Sequence, residues 1–380
     1  MLMKRLYYIV YAGLSMLRML SCSMEEPIDN TSVKADDIIC FNAGMPVTTK
    51  ATEEPPLNGS MNSWEKLLNI RFKEGDIIYV ANTFLDGRDP KFDNNGGYEY
   101  KYAEYDSEHD ENIPGSRYYR LYAFKPTDNE KALRWRDLKL TGTNYILEAA
   151  FCPNRTEHFF KEVDVDQTKV ELLKKQDLLL AHHVRNMMDW GGPISLLFRH
   201  VLAMIYIELE VPMWNARDET GFKPADLENK YPEAYLTNIY RQFDVNYYAS
   251  VSSDGLAVIN YKNEEKGYIK MYCDGFQEQE TENIRTYCYF AIVPVQPIDL
   301  NGAQSLAHFN IMKEGYVYYP SNTTSGEGSN SGLRLEQDHV TQIRLKIPRE
   351  TKNLILVSAA IQPWTSTHTD VELRPDNTNN

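Results

Sequence analysis

Residues 194–211 read ISLLFRHVLAMIYIELEV. In the second half of this stretch Ile205, Ile207, Leu209 and Val211 alternate with Tyr206, Glu208 and Glu210. A period of two sends successive side chains to opposite faces, so the stretch predicts a β-strand with one buried face. It is the most apolar run after the first twenty residues. Arg199, His200, Glu208 and Glu210 nevertheless sit inside it, and charges at those positions exclude a membrane-spanning helix. Pro212, which has no backbone N–H to give to a ladder, closes the strand.

Outward from this strand the same signal recurs in short pieces. Upstream it appears at 38–41, 75–80, 117–124, 144–152 and 177–181, with Pro126 and Pro153 as stops. Downstream it returns at 243–251, 257–261, 268–273, 286–293, 315–319, 340–347 and 354–361. Many short strands separated by turn residues predict an all-β fold of β-sandwiches. Helical periodicity is nearly absent. Only 164–176, free of glycine and proline, and a segment near 232–241 read as short helices. The stretches 86–97 and 108–115 read as loops, and 321–332 (SNTTSGEGSNSG) as a low-complexity loop.

At roughly 150 residues per domain, a chain of 380 residues predicts two domains. The polar, proline-containing segment after Pro212 sets the expected division: residues 38–212 as an N-terminal β-sandwich domain and 213–380 as a C-terminal one. Asp and Glu number 54 against 40 Lys and Arg, a net charge of −14. A protein that tracks phosphates needs a basic surface, so nucleic acid is excluded as a partner. Tyrosine, at 26 against 14 phenylalanines, suits strands with one wet face.

The first residues are a separate object. Lys4 and Arg5 precede an apolar run over 6–17 that is too short to span a bilayer and has the length of a leader, so residues 1–21 read as a signal peptide. Its end, Leu20-Ser21-Cys22, resembles a bacterial lipobox. Cleavage between Ser21 and Cys22 and diacylation of Cys22 follow from that reading, with residues 22–37 as a polar tether. An ordinary cleaved leader with an incidental cysteine is the alternative. Cys40, Cys152, Cys273 and Cys288 remain. Cys273 and Cys288 flank a turn region at Gly275 and would suit neighbouring strands, while buried free thiols are the other reading.

The search for chemistry returns little. No nucleophile elbow, phosphate loop, zincin helix or dinucleotide fingerprint is present. No cysteine pair has zinc-site spacing. His182 and His183 are adjacent, and on a strand they point to opposite faces. His200 lies among Phe198, Val201 and Leu202 and reads as a satisfied core histidine. Asp93, Asn94 and Asn95 precede glycines, but no downstream bidentate glutamate follows at calcium-loop spacing. Glu108, Asp110 and Glu111 read as a solvated acidic loop. Tyr98, Tyr100, Tyr102 and Tyr105 alternate with polar residues, as an exposed sugar- or protein-binding face or an ordinary strand would. No catalytic residue, cofactor or metal site is assigned.

Several segments together resemble the fimbrillin, or Mfa-like, family of cell-surface proteins of Gram-negative oral and gut anaerobes. They are Leu20-Ser21-Cys22; Ile39-Cys40-Phe41 followed by Val47-Thr48-Thr49-Lys50-Ala51; Gly75-Asp76-Ile77-Ile78-Tyr79-Val80; Asp177-Leu178-Leu179-Leu180-Ala181; the run Leu196 to Ala203 with Phe198 and His200; and Leu356 to Trp364. The resemblance implies two tandem transthyretin-like Greek-key β-sandwich domains and no enzymatic activity. It implies a fimbrial (pilus) component or adhesin, lipid-anchored in the outer membrane, whose partners are other fimbrial subunits and host or bacterial surface ligands. In polymerising relatives a protease cuts after a basic residue behind the first strand, and a strand from the next subunit fills the groove. Lys50, with Arg71 further on, stands at the corresponding place, where relatives cut by an arginine-specific protease carry arginine. The polar tail after Trp364, with only Val371 and Leu373 as aliphatic residues, makes a poor donor strand. Both features point to a tip, anchor or accessory subunit. A glycan-binding surface lipoprotein of a nutrient-uptake system is the second reading.

Overall fold

The decisive stretch is a strand over Ala203–Pro212, and Ile205, Ile207 and Leu209 are fully buried, as their alternation requires. Its other face departs from expectation, since Tyr206 is 3% and Glu208 5% exposed. The reason is a polar layer on that face. Tyr206 stacks on Phe290 with ring centroids 4.8 Å apart. Its hydroxyl donates to Glu208 Oε1 at 2.8 Å and lies 3.3 Å from Cys288 Sγ. Arg344 pairs with Glu210 on the same side. A hydrogen-bonded carboxylate tolerates burial that a bare one would not.

The computed structural model describes residues 34–46, 72–83, 97–105, 119–153, 160–186, 193–217, 219–223, 227, 231–246, 258–262, 265–279, 283–311, 314–320, 333–348 and 353–364. The expected leader, most of the tether, the loop at 321–332 and the positions Ser21, Cys22, Lys50 and Arg71 lie outside them. The described part is all-β. One sheet comprises β1 (Phe41–Pro46), β2 (Ile77–Thr83), β3 (Tyr98–Tyr105), β4 (Tyr119–Pro126), β5 (Leu140–Thr141), β6 (Asn144–Phe151), β7 (Leu179–Asn186), β8 (Ile194–Leu197) and β9 (Arg199–His200). Their order is β8-β1-β4-β3-β2-β6-β7-β9, with β5 beside β6. The sheet curls until β7 and β8 approach each other, and His183 of β7 hydrogen-bonds the backbone at Ser195 of β8. Phe41, Ile78, Val80, Tyr100, Phe124, Leu147 and Leu196 fill its inner side.

The decisive strand, β10 (Ala203–Pro212), leaves this sheet. It pairs antiparallel with β16 (Ile284–Val293) and parallel with β19 (His339–Lys346). With β15 (Tyr272–Gln279) and β20 (Ile355–Pro363) they form a five-stranded sheet, β15-β16-β10-β19-β20. A four-stranded sheet, β14-β11-β17-β18, comprises β11 (Glu233–Tyr240), β14 (Lys266–Lys270), β17 (Ala307–Ile311) and β18 (Glu314–Tyr318). A hairpin of β12 (Phe243–Asn246) and β13 (Val258–Tyr261) stands apart. The five- and four-stranded sheets share one core, where Tyr289 of β16 meets Phe309 of β17 at 5.2 Å. The expected division after Pro212 therefore does not match the sheets. The central strand of the second sheet precedes it, and the chain changes sheets between His200 and Ala203. The sequence placed the break at the polar segment, but the sheet partners of β10 lie far downstream, where strand spacing says nothing.

Other boundaries are corrected as well. The helix expected over 164–176 shrinks to α1 (Val170–Lys174), because the residues before it pair elsewhere: Lys270 N–H donates to Val165, and Gln167 N–H to Lys270. The helix expected near 232–241 is β11, with Ala234 and Leu236 buried. The strand expected over 268–273 is two strands. The chain passes from β14 to β15 at Met271, which is 3% exposed.

Candidate functional site

Three of the motif segments lie far apart in the chain, and the fold brings one residue of each together. Asp177 precedes β7, His200 ends β9 and Trp364 follows β20. His200 Nδ1 is 2.7 Å from Asp177 Oδ1. Its ring stacks on Trp364, centroids 4.2 Å apart and planes 2° from parallel. All three are buried: His200 at 2%, Asp177 at 0% and Trp364 at 2% exposure. Asp338, in the turn before β19 with a left-handed φ of 59°, completes the group. Its backbone N–H donates to Leu202 O at 3.2 Å, and its backbone carbonyl accepts the Trp364 backbone N–H at 2.8 Å. Burial alone would lower the His200 pKa, but Asp177, by charge and hydrogen bond, and then Asp338 outweigh it and hold it above the ordinary imidazole value. Burial raises the Asp338 carboxyl, against the pull of His200, Arg199 and His339. With Nδ1 committed and one ring face covered, His200 is a satisfied core histidine that joins elements. The sequence pointed to Asp177, His200 and Trp364 one at a time. Nothing in it singled out Asp338.

The remaining candidates sort by face. His182 and His183 do point to opposite sides. His182 Nδ1 meets Glu148 Oε1 at 2.5 Å across β6 and β7. His183 turns inward toward Tyr145, and burial lowers its pKa to about 4. Of the tyrosine row of β3, Tyr98, Tyr100 and Tyr102 form no exposed platform, and the Tyr105 side chain lies outside the described ones. Tyr100 is fully buried, with its ring edge-on to Phe41 at 4.6 Å, and Tyr98 and Tyr102 pack against the same core. Cys273 and Cys288 do lie on neighbouring strands, as free thiols. Cys273 stands opposite Tyr289, so Cys288, one residue earlier on β16, faces the other side of the sheet. Among the described residues no group of three or more His, Cys, Asp or Glu could hold a metal ion.

The aromatic surface instead lies on the outer side of the four-stranded sheet. Tyr235 of β11 stands opposite His308 of β17, and Tyr268 of β14, 47% exposed, meets the Tyr235 ring at 5.9 Å. Nearby, Tyr240 stacks on Tyr261 at 5.0 Å, with Lys266 Nζ 5.1 Å from the Tyr240 ring. Tyr261 also lines an open cleft of about 390 Å³ with Asn260, Ile298 and Arg334. Rings, amides and cations thus share this side of the molecule.

What the geometry defines is an all-β, multi-sheet scaffold with a buried polar junction and an aromatic outer face. No protein-family model matches the sequence, and no curated protein matches it. Solved structures do resemble it. A putative cell adhesion protein from Bacteroides uniformis is 13% identical over 87% of this chain and 100% of that chain, with a TM-score of 0.48. One from Bacteroides ovatus is 12% identical over 87% and 99%, TM-score 0.45. The fimbrial anchor protein Mfa2 from Porphyromonas gingivalis is 10% identical over 86% and 97%, TM-score 0.36.

Proposed function

We propose that the chain is a cell-surface fimbrial component or adhesin, lipid-anchored through Cys22 in the outer membrane. Within a fimbria it acts as a tip, anchor or accessory subunit, binding other subunits and surface ligands. The observation that carries this reading is the convergence of Asp177, His200 and Trp364. Residues of three motifs that resemble the fimbrillin family in order along the chain meet in one buried group. A chance match of scattered segments predicts no such meeting.

The partner mode is strand addition. β1 lies inside its sheet, antiparallel to β4 and parallel to β8, and Phe41 and Ala43 are fully buried. Its loss would bare two strand edges and a row of apolar sites, which is what an incoming strand fills. Lys50 in place of arginine argues against that removal and for a subunit that keeps β1. Intact mass and N-terminal sequencing of the protein from its native membrane test the reading. A diacylated Cys22 start on an otherwise complete chain supports an anchored tip, anchor or accessory protein. A start near Ala51 or Phe72 returns the stalk-subunit reading. An unprocessed Met1 start in the soluble fraction overturns the proposal.

The outer face of the four-stranded sheet favours a second reading, glycan capture. Tyr235, Tyr268 and His308 offer rings for the apolar faces of sugars, and alanine at Tyr268 would then abolish retention on a glycan array.

A further inference from the structure

The junction around His200 joins chain segments that the sheets keep apart. Asp177 precedes β7 and His200 ends β9, both strands of the first sheet, whereas Asp338 and Trp364 flank the last two strands of the five-stranded one. Among the described residues β20 is the outermost strand of that sheet, with β19 as its one ladder partner. It carries no charged residue over Ile355–Pro363, and Ile355 is 42% exposed. A strand of that kind is weakly held along its length. At its end, however, the Trp364 ring is buried on the His200 ring, and the Trp364 backbone N–H donates to the Asp338 backbone carbonyl.

We propose that Asp177, His200, Asp338 and Trp364 form a proton-dependent latch that ties the end of β20 to the first sheet and loosens as the solution becomes alkaline. The charged groups facing the imidazole are Asp177 from the segment before β7 and Asp338 from the turn before β19. Arg199 and His339 act on it through Asp338. Charged His200 answers the buried carboxylate of Asp177 and presents a cation to the indole face, which a neutral ring does not. Its affinity for the proton is raised in the folded chain. The His200 contribution is therefore complete below the ordinary imidazole value of about 6.5 and is lost as pH rises through the higher folded value. Asp338, raised by burial, adds a loss of the same sign at lower pH, between the ordinary carboxylate value and its own.

Two measurements on the full chain test this. In the first, ¹⁵N-histidine NMR follows the His200 ring from pH 5 to 9. In the second, amide exchange, divided by the intrinsic rate at each pH, compares β20 with the centre of β16 at pH 6 and 9. The expected result is a His200 ring charged at pH 6 and a tenfold or greater loss of protection in β20 by pH 9, with little change in β16. His200→Gln keeps a donor for Asp177 without titrating, and should flatten the pH dependence of β20. A ring already neutral at pH 6, equal losses in β20 and β16, or an unchanged pH profile in His200→Gln overturns the latch. The wild-type titration decides the matter even if that variant does not fold.

Discussion

At the residue scale, several single side chains replace structure that the backbone leaves out. β15 stops pairing with β16 at Tyr272↔Phe290, because the chain before it has crossed to the other sheet. The next groups of β16 are met by one amide: Gln167 Nε2 donates to Ile292 O at 2.9 Å, and Oε1 accepts Ile292 N–H at 2.8 Å. Gln167 is fully buried. Gln167→Leu should cost about 3 kcal/mol in urea unfolding, since it strands a buried donor and acceptor together. Gly221, at φ 94°, is packed so that a Cβ would strike the Met213 carbonyl. Gly221→Ala should cost about 1–3 kcal/mol, from both the clash and the backbone conformation. His183 titrates oppositely to His200. Its folded pKa of about 4 lies below the ordinary histidine value, so its contribution is present near neutrality and is lost as pH falls from about 6.5 toward 4. In His183→Phe the loss of thermal midpoint between pH 7 and 4 should shrink. Cys273 and Cys288 are raised to about 12 and about 11 by burial, so neither should alkylate at pH 8 until the chain is unfolded, as read by mass spectrometry.

At the element scale, strand type was legible wherever a pattern was strong, and ends were not. The alternation of β10 keeps period two, whereas that of β11 runs through Ala234 and Leu236 and then breaks at a bulge between Thr237 and Ile239. The short helix expected near 232–241 gives way to a strand because ladders with β14 and β17 hold the segment extended. α1 is short because its N-terminal neighbours spend their hydrogen bonds on Lys270, a choice visible only once β14 is placed. β1 is the element on which the proposed strand addition turns. Phe41 is fully buried and meets Tyr100 edge-on, so Phe41→Ala should cost about 3–5 kcal/mol by chemical denaturation. A smaller loss would mean that the first sheet does not depend on its first strand, and strand replacement there would gain little.

At the scale of the whole molecule, the partition of strands between sheets governs what can be cut. A fragment comprising 213–380 lacks β10, whose neighbours β16 and β19 then lose their shared partner and the side chains of Ile205, Ile207 and Leu209. It should give no cooperative unfolding transition by circular dichroism, while a fragment extended back to Val201 should. Both cores also meet across the first sheet. Tyr79, Ala81, Ala150 and Leu180 on its outer side belong to the same apolar cluster as β10 and β16. The two halves are therefore expected to stabilise each other, so that the extended fragment melts below the full chain.

The sequence by itself determined that the chain is all-β, that it carries no recognisable catalytic constellation, and that Asp177, His200 and Trp364 sit in marked positions. These follow from local facts: side-chain period, turn residues and residue type at short spacing. Tertiary structure decided the rest. It buried both faces of β10, turned Tyr100 of β3 inward and put Tyr235, Tyr268 and His308 on the surface. It also chose Asp338 as the fourth member of the junction. Each of these depends on which distant strand lies alongside, and pairing between strands far apart in the chain is set by the packing of whole sheets, a quantity no short window of sequence contains.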